Sequence, residues 1–226
     1  MVIIPIAARA SLITGTLNFT GEANITSSGA TPGSIVFTGN TFTVQPSAGG
    51  FAVLNATTGT IDAITNPPDA VDTPLDQPFM SFVAAPNITI ALTFLDAGID
   101  GAAGCSDAVA MAGQLCTPDT PDLSPFNLQN TSATTSTASF FFAGVETDSL
   151  THTSIGVTGA FTDPGAALSY QGILALIGGG GTFTTPFSAQ IITLAATPEP
   201  STLTELMMGF GLVGIGLVYR KKLKGA

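Results

Sequence analysis

The sequence predicts an all-β protein: a single β-sandwich or barrel-like domain, followed by one C-terminal transmembrane helix. Three observations carry the β prediction. Apolar residues in the body recur with period two and not 3.6. Thr and Phe, which favour pleated surfaces, fill the alternating segments. Gly, Pro and Asn separate those segments at short intervals, and no strand-helix-strand rhythm appears.

Leu12 to Thr20 reads as the first strand, with Leu17 and Phe19 set against Thr16, Asn18 and Thr20. Ile35 to Gln45 reads as the second, with Phe42 and Val44 alternating with Thr41 and Thr43. Phe51 to Ile61, containing Phe51, Val53 and Leu54, is a third. In Ile88 to Phe94, Ile88, Ile90 and Leu92 oppose Thr89, Ala91 and Thr93. Ser136 to Val145, Thr153 to Phe161 and Thr182 to Leu194 complete the set, enough strands for a sandwich or barrel. Leu168 to Ile177 predicts one short helix, stopped by Gly178 to Gly181. Pro67 to Pro78 carries Asp69, Asp72 and Asp76 among prolines and reads as an acidic loop or spacer. Residues 96–125 form the longest irregular stretch.

Composition narrows the function classes. Charged residues are 9% of the chain and hydrophobic residues 45%, with 26 Gly and 15 Pro. Disorder requires low hydrophobicity, and 15 Phe predict a packed interior instead. The net charge is -10 and the pI about 4.1. No Lys or Arg occurs between Arg9 and Arg220. Such a body has nothing to offer nucleic acid phosphates and matches an anionic membrane surface poorly. Its carboxylates serve solubility or weak divalent cation binding.

Cys105 and Cys116 are the two cysteines, and a disulfide between them is the expected state. A metal centre is a poor fit for two thiols and a single histidine. Export past the inner membrane would permit the bond.

The two ends of the chain suggest such a route. At the C-terminus, Pro198-Glu199-Pro200-Ser201-Thr202 precedes an apolar stretch over residues 202–219, and Arg220, Lys221, Lys222 and Lys224 follow. The stretch is at the short edge of what a spanning helix needs. Gly209, Gly211, Gly214 and Gly216 are unsuited to a soluble helix but common in membrane helices, and Tyr219 sits at an interfacial position. The basic cluster predicts a cytoplasmic end, with the body across the membrane. At the N-terminus, Val2 to Ala8 is apolar and Ala8-Arg9-Ala10 fits an A-x-A cleavage site. Residues 1–10 therefore read as the remnant of a truncated signal peptide, 11–195 as an exported β-rich domain, and 196–226 as the tail.

The motif, apolar helix and basic end, in that order, resemble the PEP-CTERM sorting domain of Gram-negative bacteria. The resemblance covers about residues 197–224. It implies recognition of Pro198, Glu199 and Pro200 by exosortase, a membrane-embedded cysteine transpeptidase. It further implies single-pass insertion before processing, then release or transfer to the cell surface or an extracellular polysaccharide matrix.

Candidate chemistry within the body is sparse. His152 is the single histidine, with Asp148 and Ser149 nearby, and a hydrolase would need these or two acids to converge in a cleft. Asp96 and Asp100 offer oxygen ligands for Ca²⁺ but lack the alternating spacing of a calcium loop. Gly178 to Gly181 lacks the Lys-Ser/Thr of a phosphate loop. Asn-x-Ser/Thr occurs at Asn18, Asn24, Asn55, Asn87 and Asn130, as expected by chance in a chain this rich in Thr. The leading expectation is a non-enzymatic surface or matrix protein with a structural or adhesive body. The alternatives are a carbohydrate-binding module, with or without calcium, which predicts solvent-facing aromatics, and a secreted hydrolase; no cofactor is expected.

Overall fold

The strands of the body bury one face and expose the other, and the sheet removes its edges by closing on itself. The computed structural model describes residues 14–27, 32–65, 71–118 and 124–194. The expected signal remnant and sorting tail lie outside the described residues. In chain order the strands are β1 (Gly15–Ser27), β2 (Pro32–Phe37), β3 (Thr41–Gly49), β4 (Thr58–Ile61), β5 (Ile64–Thr65) and β6 (Gln77–Phe82). There follow β7 (Ala85–Leu95), β8 (Leu115–Cys116), β9 (Asn127–Asn130), β10 (Ser136–Asp148), β11 (Thr153–Thr162) and β12 (Phe183–Thr193). One helix, α1 (Tyr170–Gly178), precedes the last strand.

Eight strands form a closed antiparallel barrel in the order β1-β3-β4-β6-β7-β10-β11-β12, with β12 returning to β1. Phe19 is opposite Val44 of β3 on one side and Ala189 of β12 on the other. Glu146 likewise lies between Ile90 of β7 and Ile155 of β11. Of the two architectures the sequence allowed, the barrel is the one adopted: a single sheet replaces the two facing sheets of a sandwich. Short strands extend it at one end. β2 and β5 continue the lines of β3 and β4, and β9 with β8 continues alongside β10 past the end of β7.

Phenylalanine fills the interior. Phe161 stacks on Phe140 at 4.7 Å between ring centroids and also meets Phe19, Phe37, Phe79, Phe142 and Phe187. Glycines on facing strands make room for these rings. A Cβ on Gly159 would lie 2.3 Å from the Phe142 ring, and one on Gly59 2.2 Å from the Phe42 ring. A void of about 30 Å³ lies between Phe37, Phe140, Phe161 and Phe187, room for a water or two. Thr, Ser, Asn and Gln occupy much of the outside, the reverse of a barrel embedded in lipid.

The barrel has two unlike ends. The three short connections β3–β4, β6–β7 and β10–β11 lie at one rim, with the start of β1 and the end of β12. Phe51 and Leu54, in a 3-10 turn over Gly50–Leu54, point inward there. The longer connections lie at the opposite pole, where α1 buries Tyr170, Ile173 and Ile177. The hydroxyl of Ser169 caps α1 by accepting from Gly172 N, and Gly179 ends it, close to the predicted limits.

Several expected strands change at their boundaries. Ile35 to Gln45 is two collinear strands, because a turn at Thr38–Asn40 with positive φ at Gly39 and Asn40 interrupts the edge beside β1. Phe51 to Ile61 is not one strand. Its first half is the 3-10 turn and only Thr58–Ile61 is extended, since the chain must reverse between β3 and β4. The expected acidic loop ends early, as Gln77 and Pro78 already belong to β6. Leu12 and Ile13 lie outside the described residues, and β1 runs on to Ser27.

Candidate functional site

Cys105 and Cys116 form the expected disulfide, with Cα atoms 4.9 Å apart across a sequence separation of 11. Cys116 is buried on β8 and Cys105 sits in a 3-10 turn over Ala103–Ser106. The bond closes a lobe at the pole, and polar contacts pin that lobe to α1. Tyr170 donates its hydroxyl to the Gly104 carbonyl at 2.7 Å. Asn130 Nδ2 donates to the side-chain oxygens of Gln114 and Gln171, and Gln171 Nε2 donates to Gln114 Oε1. Burial raises the Tyr170 hydroxyl pKa above its usual value, with the charge of Asp107 adding to the effect.

The weak calcium candidates sit at the neck of this lobe. Asp96 is exposed after β7, and the Asp100 backbone N donates to Thr117 Oγ1 at 3.1 Å. Among the described residues no three His, Cys, Asp or Glu side chains gather as a metal site would require.

His152 lies in the exposed β10–β11 turn with φ 54. Asp148 does not orient it. The Asp148 carboxylate accepts from Asn87 Nδ2 at 2.8 Å, Leu150 N at 2.9 Å and Thr151 Oγ1 at 3.0 Å. These bonds hold Asp148 below the usual carboxylate range. The grouping of His152, Asp148 and Ser149 is therefore a structured turn.

The structure pairs two carboxylates that the sequence reading did not. Glu146 and Asp148 both face inward from β10, and Glu146 is 1% exposed, with neither carboxylate oxygen hydrogen-bonded. Burial, with a smaller contribution from the charge of Asp148, raises Glu146 to about 8. Carboxyls pushed apart in this way resemble an acid–base pair. Here the buried carboxyl is sealed between Ile90 and Ile155, without a path for substrate. The legible signal was Glu-Thr-Asp, which places both acids on one strand face.

A concavity on the outer wall is more accessible. Thr60 of β4, Ser81 of β6 and Thr89 of β7 are cross-strand neighbours, and Thr60 Oγ1 and Ser81 Oγ are 2.6 Å apart. Asp62 and Asp76, with Pro78, Phe79, Met80, Ile90 and Ala91, complete the lining of a groove of about 340 Å³. A register shift in β6 between Pro78 and Met80 shapes its floor, where Asp62 N donates to the Phe79 carbonyl. The groove offers hydroxyls and two carboxylates, a set that accepts hydrogen bonds from polyols.

Among the described residues aromatic side chains are not gathered on the surface for stacking against a sugar. Tyr170 is fully buried, while Phe141 is the one aromatic residue exposed among the described residues. Of the expected sequon positions, Asn130 is buried and Asn87 is bound to Asp148, while Asn55 lies in an exposed turn. Among the described residues no helix is long and apolar enough to cross a membrane. Comparison with family models, curated proteins and solved structures finds no match to this chain.

Proposed function

We propose that this chain is an exported, non-enzymatic β-barrel module displayed at the cell surface or in an extracellular polysaccharide matrix. Its tail acts as sorting signal and single-pass membrane anchor before processing. The barrel is the structural or adhesive body. The observation that carries this reading is the filled lumen: a barrel packed with Phe meets its partners through its outer wall. Two features support it. The disulfide suits an oxidising compartment outside the inner membrane. The basic residues after Arg9 are all in the tail, where they would stop transfer. In this reading an exosortase-like transpeptidase recognises Pro198, Glu199 and Pro200, and Arg220, Lys221, Lys222 and Lys224 remain cytoplasmic.

Cell fractionation with a C-terminal peptide or intact mass in the native host tests the reading. Loss of everything after about Pro200, with the body outside the inner membrane, is the expected result. An unprocessed chain in the cytoplasm would refute it. An intact tail in the membrane fraction would replace sorting with plain anchoring.

The groove between Thr60, Asp62, Asp76, Ser81 and Thr89 favours a second reading, carbohydrate binding by the outer wall. Co-sedimentation with matrix polysaccharide, reduced in Asp62→Ala and Asp76→Ala, is its expected signature. Equal retention of wild type and variants would remove the groove from consideration.

A further inference from the structure

The rim and the pole differ in where carboxylates and aliphatic side chains sit. Each of the three short connections at the rim exposes one large aliphatic side chain: Val53 at 77%, Val83 at 71% and Leu150 at 75%. Val83 N donates to the Thr58 carbonyl and Ser149 N to the Asn87 carbonyl, so these turns are anchored to the ends of their neighbouring strands. The pole also exposes aliphatics: Ile99, Val109 and Met111 lie among Asp96, Asp100 and Asp107, and Leu115, Leu168 and Leu176 are exposed on β8 and around α1. Asp62, Asp72, Asp76 and Asp163 belong to pole connections as well. At the rim the acidic residue among the described residues is Asp148, whose oxygens are occupied by its own turn and Asn87.

The described chain also ends at this rim. Strand pairing holds as far as Leu194, whose N donates to the Gly156 carbonyl at 2.8 Å. Residues 195–201 then separate the barrel from the apolar stretch. Fully extended, that connection spans about 25 Å.

From these observations we propose that the rim bearing Val53, Val83 and Leu150 is a lipid-facing surface that rests on the outer leaflet, directing the disulfide lobe and the outer groove away from the membrane. This inference rests on the anchoring role proposed for the tail. Exposed aliphatics at hairpin tips enter the headgroup and upper acyl region without disturbing a core. The described residues contain no Lys or Arg to attract anionic lipid, so the contact is apolar and suits zwitterionic headgroups. An unpaired carboxylate would oppose such a contact, and those of the connections are gathered at the pole.

The test uses the full chain in phosphatidylcholine vesicles containing headgroup-nitroxide lipid, with the native disulfide intact. A fluorophore is placed in turn at Val53→Cys, Val83→Cys and Leu150→Cys on the rim, and at Ile99→Cys and Met111→Cys on the pole. Leu212→Cys reports the tail. Rim labels are expected to lose about half their fluorescence or more, and pole labels to be unaffected. Rim labels quenched no more than pole labels overturn the inference, including the case where a second copy or another protein shields the rim. Quenching at Leu212 separately decides whether the tail is inserted.

Discussion

Glu146 and Asp148 lie two residues apart on the inner face of β10 and are held in opposite protonation states near neutral pH. Glu146 is raised to about 8 because burial leaves its carboxyl without a partner and Asp148 adds a nearby charge. Asp148 is lowered by the Asn87 amide, the Leu150 N–H and the Thr151 hydroxyl. One strand face thus carries a neutral acid in the core and an ionised acid in a turn.

Glu146 makes stability fall with rising pH. Its ordinary value is 4.5 and its folded value about 8, so between these the native state holds a proton that the unfolded chain has released. The contribution is complete below about pH 4.5 and lost as pH rises through about 8. Glu146→Gln should remove this slope and stabilise the barrel at pH 8 by an amount on the order of a few kcal/mol. Melting temperatures from pH 5 to 9 provide the measurement, and parallel profiles for wild type and variant would contradict it.

Asp148 should act in the opposite direction. Its folded value is depressed, so its contribution is present above its ordinary value of 3.8 and lost as pH falls through the lower folded value. Asp148→Asn should lower the melting temperature at neutral pH by weakening the β10–β11 turn. It should also move the Glu146 transition to lower pH, because the neighbouring charge is gone. An unchanged midpoint would show that burial alone sets the Glu146 value.

The disulfide should stabilise by about 3 kcal/mol, as expected for closing a short loop. Reduction, or Cys105→Ser, should lower the denaturation midpoint and speed hydrogen exchange first in the lobe. Tyr170 and the Gln114–Asn130–Gln171 contacts should preserve the barrel. Global unfolding in reductant at 25 °C would mean that the lobe is needed for the fold.

Core packing predicts a steep cost at Phe161, which contacts six other rings. Phe161→Ala should cost about 3–5 kcal/mol and Phe161→Leu less. Gly59→Ala should cost about 1–3 kcal/mol by overpacking. Its Cβ would meet the Phe42 ring and the Ser81 carbonyl at 2.4 Å, and the latter is backbone that cannot rotate aside. Urea denaturation of the three variants tests the order; a neutral Gly59→Ala would show that the strands have room to separate.

The legible parts of the fold were those with strong local signals. Ile88, Ile90 and Leu92 alternate with smaller or polar residues, and these three are buried on β7. Leu168 to Ile177 read as a short helix stopped by a glycine run, and α1 occupies nearly that range, with Ser169 as the cap that the structure adds. β6 was missed because Pro78 lowers the strand signal, although a position beside a register shift tolerates it. The 3-10 turn at Gly50–Leu54 was missed because its buried Phe51 and Leu54 read as strand core. The Thr60–Asp62–Asp76–Ser81–Thr89 groove had no sequence signal, because its members come from separate parts of the chain.

The sequence by itself determined the all-β class, the apolar interior, the cysteine pair and the expectation of a C-terminal sorting tail. Each is encoded locally, in period-two alternation, composition or a contiguous motif. Tertiary structure alone decided that the sheet closes, that Gly59 and Gly159 face aromatic rings, and that Glu146 is buried beside Asp148. It also decided that three aliphatic hairpin tips share the rim at which β12 ends. These properties depend on which strands become neighbours, and long-range pairing brings together residues with no common local pattern.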